Sequence, residues 1–173
     1  MAKRISLREF QESLVARLTS AARGEAARSW LGVETGTVRW LVDLFDSGEV
    51  VPLPELTPVP LTRSWFAGIA NIRGTLYSVV DFSAFEGGEA TPRNDDARLL
   101  LIGANHGSNS ALLVKRTLGL KTLEDLEPKV EDAADSGARP WSGECYVDNQ
   151  RQEWTRLRVR KLLADLSFLD VGQ

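Results

Sequence analysis

Several residue types that build enzyme, metal and membrane sites are scarce in this sequence. Its 173 residues include one cysteine, Cys145, and one histidine, His106. A single cysteine excludes an internal disulfide and offers no cysteine cluster for zinc. No segment approaches the roughly 18 consecutive apolar residues of a membrane-spanning helix, and the N-terminus lacks the apolar stretch of a secretory signal. We therefore expect a soluble, cytoplasmic protein with no membrane insertion.

Positive charge is also in short supply. The formal net charge is −3 and the pI is near 5.3, whereas a nucleic-acid-binding domain needs a positive footprint for phosphate. Five tryptophans suit either a β-rich core or an interaction surface, and the composition does not separate the two. A nucleic-acid-binding β-barrel stays as a minor alternative, and strongly salt-dependent oligonucleotide binding would be its sign.

The first part of the chain predicts an amphipathic helix, residues 1–28. Ser6 and Glu9 have the spacing of a capping box. A stripe of apolar residues follows at helical spacing, formed by Leu7, Phe10, Leu14 and Leu18. We expect the stripe to pack either on the rest of this chain, the commoner outcome, or on a partner.

From residue 29 the pattern changes to short strands separated by turns. Two pairs of segments predict hairpins, Leu99–Ile102 with Ala111–Val114 and Tyr146–Val147 with Trp154–Val159. The four prolines between residues 52 and 60 indicate a sheet edge or a connecting loop. Glu124–Asp135, with six carboxylates, predicts an exposed acidic loop, and Lys161–Leu169 predicts a short helix with its leucines facing inward. The fold class is therefore mainly β, a barrel or sandwich.

Catalytic constellations are not apparent. His106 lies in a predicted turn, where a solvated side chain is the expected state. Cys145 is expected to be a small, buried or half-buried residue. A hydrolase using Cys145 with His106 or the acidic loop is an alternative without a supporting motif. No phosphate loop or dinucleotide fingerprint is present, so we expect neither enzymatic activity nor a cofactor.

The most informative segment is residues 65–85, in which an Asn-Ile-Arg-Gly turn lies between two apolar strands. Gly74 suits a positive φ or a close backbone approach, and Asn71 suits a turn held by its side chain. Arg73 is expected to be half buried and to need a carboxylate partner. The residues alone leave three candidates for that partner: Glu49, Asp43 and Asp81.

Three arginines alternate with apolar residues near the C-terminus. Arg156, Arg158 and Arg160 would share one face of a strand. That face is either the solvated side of a half-buried strand or a docking strip for an acidic partner.

The 65–85 segment resembles the CheW family, the adaptors that couple bacterial chemoreceptors to a histidine kinase. The family shows a proline-containing connection, an aromatic residue and a glycine, an Asn-Leu-Arg-Gly turn, and a strand ending in Val-Asp-Leu. The residues here that match are Val59-Pro60, Phe66-Ala67-Gly68, Asn71-Ile72-Arg73-Gly74 and Val79-Val80-Asp81-Phe82.

The resemblance implies a fold of two packed, five-stranded, SH3-like β-barrels. The first would span roughly residues 29–86, the linker 87–97, and the second barrel with the C-terminal helix 98–173. It favours Glu49 as the partner of Arg73. It also implies a non-catalytic scaffold that binds the cytoplasmic tip of a methyl-accepting receptor and the regulatory domain of a CheA-type kinase.

The sequence departs from the family pattern at three positions. Ser78 replaces a usual proline, Lys115 replaces a usual aspartate, and Arg158 lies near another usual aspartate. In these departures and in its long N-terminal segment, the sequence resembles the pilus-linked branch of the family, the PilI-type adaptors of twitching motility. Flagellar chemotaxis is the alternative within the family.

Overall fold

The chain is described by a computed structural model over residues 29–102, 104–130 and 139–173. The predicted N-terminal helix, residues 1–28, lies outside these residues. Strands dominate, as the sequence predicted. They are β1 (Ser29–Thr35), β2 (Val38–Asp43), β3 (Ser47–Pro52), β4 (Phe66–Ile72), β5 (Thr75–Asp81), β6 (Arg98–Ile102), β7 (Ser110–Val114), β8 (Arg116–Thr122), β9 (Leu126–Pro128), β10 (Ser142–Asp148) and β11 (Glu153–Leu157).

Two sheets contain these strands. One has six strands in the order β8-β1-β2-β11-β10-β9, and the other has five in the order β3-β6-β7-β5-β4. All pairs are antiparallel except β2 with β11 and β5 with β7. The sheets do not follow the expected division into residues 29–86 and 98–173. The first two strands join the C-terminal strands, and β6 and β7 join β3–β5, because parallel pairing brings distant segments together.

The core has three parts. The largest contains buried residues from both sheets, such as Trp40 and Val42 from one and Leu100 and Leu112 from the other. A second part belongs to the five-stranded sheet and a third to the six-stranded sheet. Each sheet thus shares a core on one face and has its own on the other, as two curved, packed sheets require. Four tryptophans, 2–7% exposed, belong to these cores: Trp30, Trp40, Trp141 and Trp154.

Three short helices complete the fold: α1 (Phe82–Phe85), α2 (Val159–Ala164) and α3 (Leu166–Leu169). The sequence did not predict α1, which is only one turn long and is capped by Asp81. The predicted helix Lys161–Leu169 is interrupted at Asp165, whose carboxylate caps α3 by accepting from Ser167 N–H. This break turns Phe168 inward and leaves Leu166 and Leu169 exposed, contrary to the expectation.

The predicted acidic loop is partly ordered structure. Leu123–Asp125 forms a 3-10 turn, and β9 pairs with β10 as the last strand of the six-stranded sheet. Leu126 is 5% exposed because it packs into the core of that sheet. Glu124, Asp125 and Glu127 are exposed as expected, and residues 131–135 lie outside the described part of the chain. No helix among the described residues is long and apolar enough to cross a membrane.

Candidate protein-interaction site

The β4–β5 hairpin presents the predicted Asn-Ile-Arg-Gly turn at its tip. The two-residue loop between β4 and β5 consists of Arg73 and Gly74. Both residues have positive φ, 52° for Arg73 and 86° for Gly74, the combination that a type I′ hairpin turn requires. Asn71 Oδ1 accepts a hydrogen bond from Gly74 N–H at 2.9 Å. The roles predicted for Asn71 and Gly74 in the turn are confirmed. The left-handed conformation of Arg73 itself was not predicted.

Arg73 and Glu49 form a two-point ion pair. Nη1 donates to Oε2 at 2.7 Å and Nη2 donates to Oε1 at 2.6 Å. The hydrogen bonds from Arg73 lower the pKa of Glu49. Glu49 lies on β3 and Arg73 follows β4, the two outermost strands of the five-stranded sheet. The pair therefore links the two edges of one sheet, and its short distances show that the sheet curves enough to bring those edges close together.

The expected burial of Arg73 is wrong. Its side chain is 74% exposed, and that of Glu49 is 45% exposed. A type I′ turn projects beyond the sheet, so the guanidinium reaches Glu49 across the surface and not through the core. The remaining candidate partners are engaged elsewhere: Asp43 Oδ1 accepts from Phe45 N–H at 2.9 Å, and Asp81 is buried. An exposed, fixed guanidinium–carboxylate pair is available to a protein partner.

Asp81 anchors the linker between the two halves of the sequence. It is 6% exposed. Its Oδ2 accepts from Thr91 N–H and its Oδ1 from Thr91 Oγ1–H, both at 2.7 Å. It also caps α1 by accepting from Ala84 N–H at 3.3 Å. Asp81 therefore holds β5, α1 and the linker together, and no surface is left for it to offer a partner.

Gly68 permits a close approach between β4 and the preceding loop. Its φ is 129°, and a β-carbon here would lie 2.4 Å from the Thr57 carbonyl oxygen. Two hydrogen bonds between Thr57 and Ile69, at 2.8 and 2.9 Å, hold the loop at this distance. Gly68 is buried, so its part in the candidate site is to position the hairpin.

The proposed arginine strip is not one face of a strand. β11 ends at Leu157, Arg158 precedes α2, and Arg160 lies exposed within α2. Arg156 and Arg158 both bond the carboxylate of Glu144, at 3.5 and 3.2 Å. The alternation was misleading because the chain turns into a helix directly after Leu157. Arg156 and Arg158 form a small ion-pair cluster with Glu144 of β10, and Arg160 is outside it.

A second charged cluster was missed by the sequence reading. Glu34, 6% exposed, accepts from Lys115 Nζ at 2.8 Å and from Arg116 Nε and Nη2 at 2.9 and 2.8 Å. Burial would raise the pKa of Glu34, but the hydrogen bonds and charges of the two cations outweigh it and the pKa is lowered. Glu34 and Arg116 are cross-strand partners, a pairing that requires the β1–β8 register to recognise.

This cluster borders a cleft of about 580 Å³. It lies between the β1–β2 turn, the end of α1 and the linker, and Lys115, Arg139 and Glu86 contribute charged groups. Burial raises the pKa of Glu86, although Trp141 Nε1–H and Arg139 Nη1 each donate to its Oε1 at 3.3 Å. The Glu86 contacts join the end of α1 to the segment that precedes β10.

His106 and Cys145 do not form a catalytic pair. His106 lies in the 3-10 turn Ala104–His106 after β6, and Cys145 lies on β10 of the other sheet. The expectation of a solvated histidine is wrong, because its side chain is 5% exposed and Nε2 is 2.9 Å from Asp46 Oδ1. Cys145 is half buried, with Sγ 3.6 Å from Thr155 Oγ1. Among residues 29–102, 104–130 and 139–173, no three His, Cys, Asp or Glu side chains are grouped to hold a metal.

Comparison with known proteins places this architecture in a family. Residues 29–167 match the CheW-like domain, a span that includes all eleven strands. The chain therefore belongs to the family of CheW-like domain proteins. Proteins of this family are scaffolds and adaptors of chemosensory signalling and are generally non-catalytic.

Two individual proteins define the similarity further. The chain is 27% identical over 158 residues to Protein PilI of Pseudomonas aeruginosa, covering 87% of this chain and 85% of that protein. The crystal structure of the scaffolding protein TtCheW from Thermoanaerobacter tengcongensis superimposes with a TM-score of 0.65 and 18% identity, covering 82% of this chain and 95% of that one. The structural match confirms the CheW fold that the 65–85 segment predicted.

Proposed function

We propose that this chain is a non-catalytic adaptor that couples a methyl-accepting chemoreceptor to a CheA-type histidine kinase at membrane-associated receptor arrays. The observation that carries the proposal is the CheW-like match over residues 29–167, which spans both sheets and the shared core. Two sheets packed around one core form a rigid body with separate outer surfaces. Such a body can hold two partners in a fixed relation.

The candidate site gives this adaptor a mechanism. The Glu49–Arg73 pair fixes the β4–β5 turn at a receptor-facing surface, and the exposed surfaces of the barrels meet the kinase regulatory domain. Arg73 is supported in this role by its exposure and by its ion pair, which restricts its geometry before binding. Receptor states that differ in their contacts with the adaptor would then bias kinase activity.

The pathway we propose is control of type IV pilus twitching motility. Support comes from the similarity to Protein PilI, which extends over more of the chain than the CheW-like match does. Deleting the gene in its own host should abolish twitching and leave swimming intact. Loss of swimming with normal twitching would instead assign the protein to flagellar chemotaxis.

Binding to isolated partners tests the adaptor function directly. The full chain should be titrated against the regulatory domain of the CheA-type kinase from the same genome, and separately against the receptor's cytoplasmic tip. Saturable binding to both, and a ternary complex when all three are mixed, is expected. Binding to neither folded partner would reject the proposal while leaving the fold unaffected.

A further inference from the structure

One corner of the six-stranded sheet exposes an unusual number of apolar side chains. Leu44 is 42% exposed, Phe45 64%, Leu120 63% and Leu123 51%. All four lie near Ser29, the first residue of β1. Ser29 is opposite Thr122 at the end of β8, and its carbonyl accepts from Leu44 N–H at 3.4 Å. We call these four residues the corner patch.

The corner patch continues the shared core outward. On β1, Leu31 is directly opposite Val42 on one side and Leu120 on the other, so the three side chains share a face of the sheet. Val42 is fully buried in the shared core, and Leu31 packs against that core. Leu44 lies in the turn directly after β2, and its backbone hydrogen bond to Ser29 holds it beside the start of β1.

The corner also contains an unprotected strand edge. Within the described residues β8 pairs with β1 on one side only. An edge strand with free backbone groups invites pairing with other chains, and proteins commonly cover such an edge with a helix or loop. Leu120 and the adjoining Leu123 add apolar surface to this edge.

The N-terminal segment of the same chain contains an apolar stripe that could cover this edge. Residues 1–28 enter the fold at Ser29, beside the corner patch. Their stripe from Leu7 to Leu18 would extend about 17 Å as a helix, at 1.5 Å per residue. β8, with seven residues, extends about 23 Å. The stripe is therefore long enough to cover most of β8.

Charge complementarity favours the same occupant. Residues 1–28 contain six Lys or Arg and three Glu, a net charge of +3, although the whole chain is at −3. The rest of the chain therefore has a net charge of −6. Three exposed carboxylates, Glu124, Asp125 and Glu127, directly follow Leu123.

We propose that residues 1–28 fold back on their own chain and cover the edge of β8. The stripe Leu7, Phe10, Leu14 and Leu18 packs on the corner patch, and the basic residues of the segment face the carboxylates after Leu123. The segment thus completes the fold by protecting an edge that would otherwise be open to self-association.

Hydrogen–deuterium exchange on the full-length protein tests the proposal. Leu14→Glu places a charge in the stripe, whereas Ala16→Glu places the same charge on the opposite side of the helix. We expect residues 116–123 to exchange about tenfold faster in Leu14→Glu than in wild type, and Ala16→Glu to match wild type. Equal exchange in wild type and Leu14→Glu would overturn the proposal.

Cross-linking distinguishes packing of residues 1–28 on their own chain from pairing between two copies of the protein. Arg17→Cys lies beside the stripe and Thr122→Cys is the last residue of β8. Both are introduced with Cys145→Ser, and neither alters an apolar residue of the stripe or of the corner patch. A short bis-maleimide should give a cross-linked monomer, and adding Leu14→Glu should abolish it. A covalent dimer would contradict the proposal by assigning the patch to a second copy. Failure to cross-link would also contradict it.

Discussion

Replacement of Gly68 by alanine should destabilise the protein more than any other glycine-to-alanine change in the candidate site. The new β-carbon would lie 2.4 Å from the Thr57 carbonyl oxygen, a backbone atom held by two hydrogen bonds to Ile69. Backbone strain at a positive φ costs about 1–3 kcal/mol. Displacing the loop would cost a further 0.5–1.5 kcal/mol, roughly, for each hydrogen bond lost. We expect a loss of about 3 kcal/mol or more.

Gly74→Ala is the matched control, because Gly74 also has a positive φ but a β-carbon there meets no atom within 4 Å. It should show the conformational cost alone, about 1–2 kcal/mol. Urea unfolding should give the two differences from midpoints at a constant slope. Thermal unfolding should show a fall of about 6–12 °C for Gly68→Ala, at roughly 2–4 °C per kcal/mol. Equal losses for the two variants would refute the steric argument.

Three further predictions concern buried carboxylates. Asp81→Ala should lower the free energy of unfolding by about 2–4 kcal/mol, since it removes a helix cap and both hydrogen bonds to Thr91. Limited proteolysis should then cleave the linker faster than in wild type, and unchanged cleavage would contradict the anchoring role. Glu34→Gln should cost about 1–2 kcal/mol at pH 7. Because the pKa of Glu34 is lowered on folding, its contribution is present above the unfolded pKa and disappears as pH falls through the folded value. Unfolding curves from pH 7 to 3 should therefore converge for wild type and Glu34→Gln. Burial raises the pKa of Glu86, so the ionised carboxylate is disfavoured in the folded protein. The free energy of unfolding of wild type should therefore rise relative to that of Glu86→Gln as pH falls through the raised pKa. A fall of the wild-type value relative to Glu86→Gln over that range would contradict this.

Local sequence signals predicted the strands and turns well, because each depends on a few neighbouring residues. The Asn-Ile-Arg-Gly turn, with Gly74 at positive φ and Asn71 bonded to its amide, follows from the properties of those residues. The hairpin of β6 and β7 likewise follows from two apolar runs separated by turn residues.

Features that depend on distant pairing were beyond the sequence. The parallel pairs β2–β11 and β5–β7 distribute the strands between sheets in a way that chain order does not indicate. Glu34 finds its cations only through the β1–β8 register. The alternation at Arg156, Arg158 and Arg160 predicted a strand face, but the helix that begins at Val159 ends that alternation.

Burial of side chains near turns was also hard to predict. His106 looked solvated because it adjoins Gly107, yet it packs beside Asp46 from another loop. Arg73 looked half buried because apolar strands flank it, yet the turn projects it into solvent. In both cases the exposure is decided by loop geometry and not by neighbouring residue types.

Calorimetric titration with the kinase regulatory domain tests the adaptor assignment most directly. The full-length protein should be compared with Arg73→Ala, after circular dichroism has established that both are folded, and the receptor tip should be titrated in parallel. We predict saturable kinase binding by both proteins and weaker receptor binding by Arg73→Ala, because the turn is assigned to the receptor-facing surface. Absence of wild-type binding to both partners would contradict the adaptor function, and unchanged receptor binding by Arg73→Ala would remove Arg73 from the site.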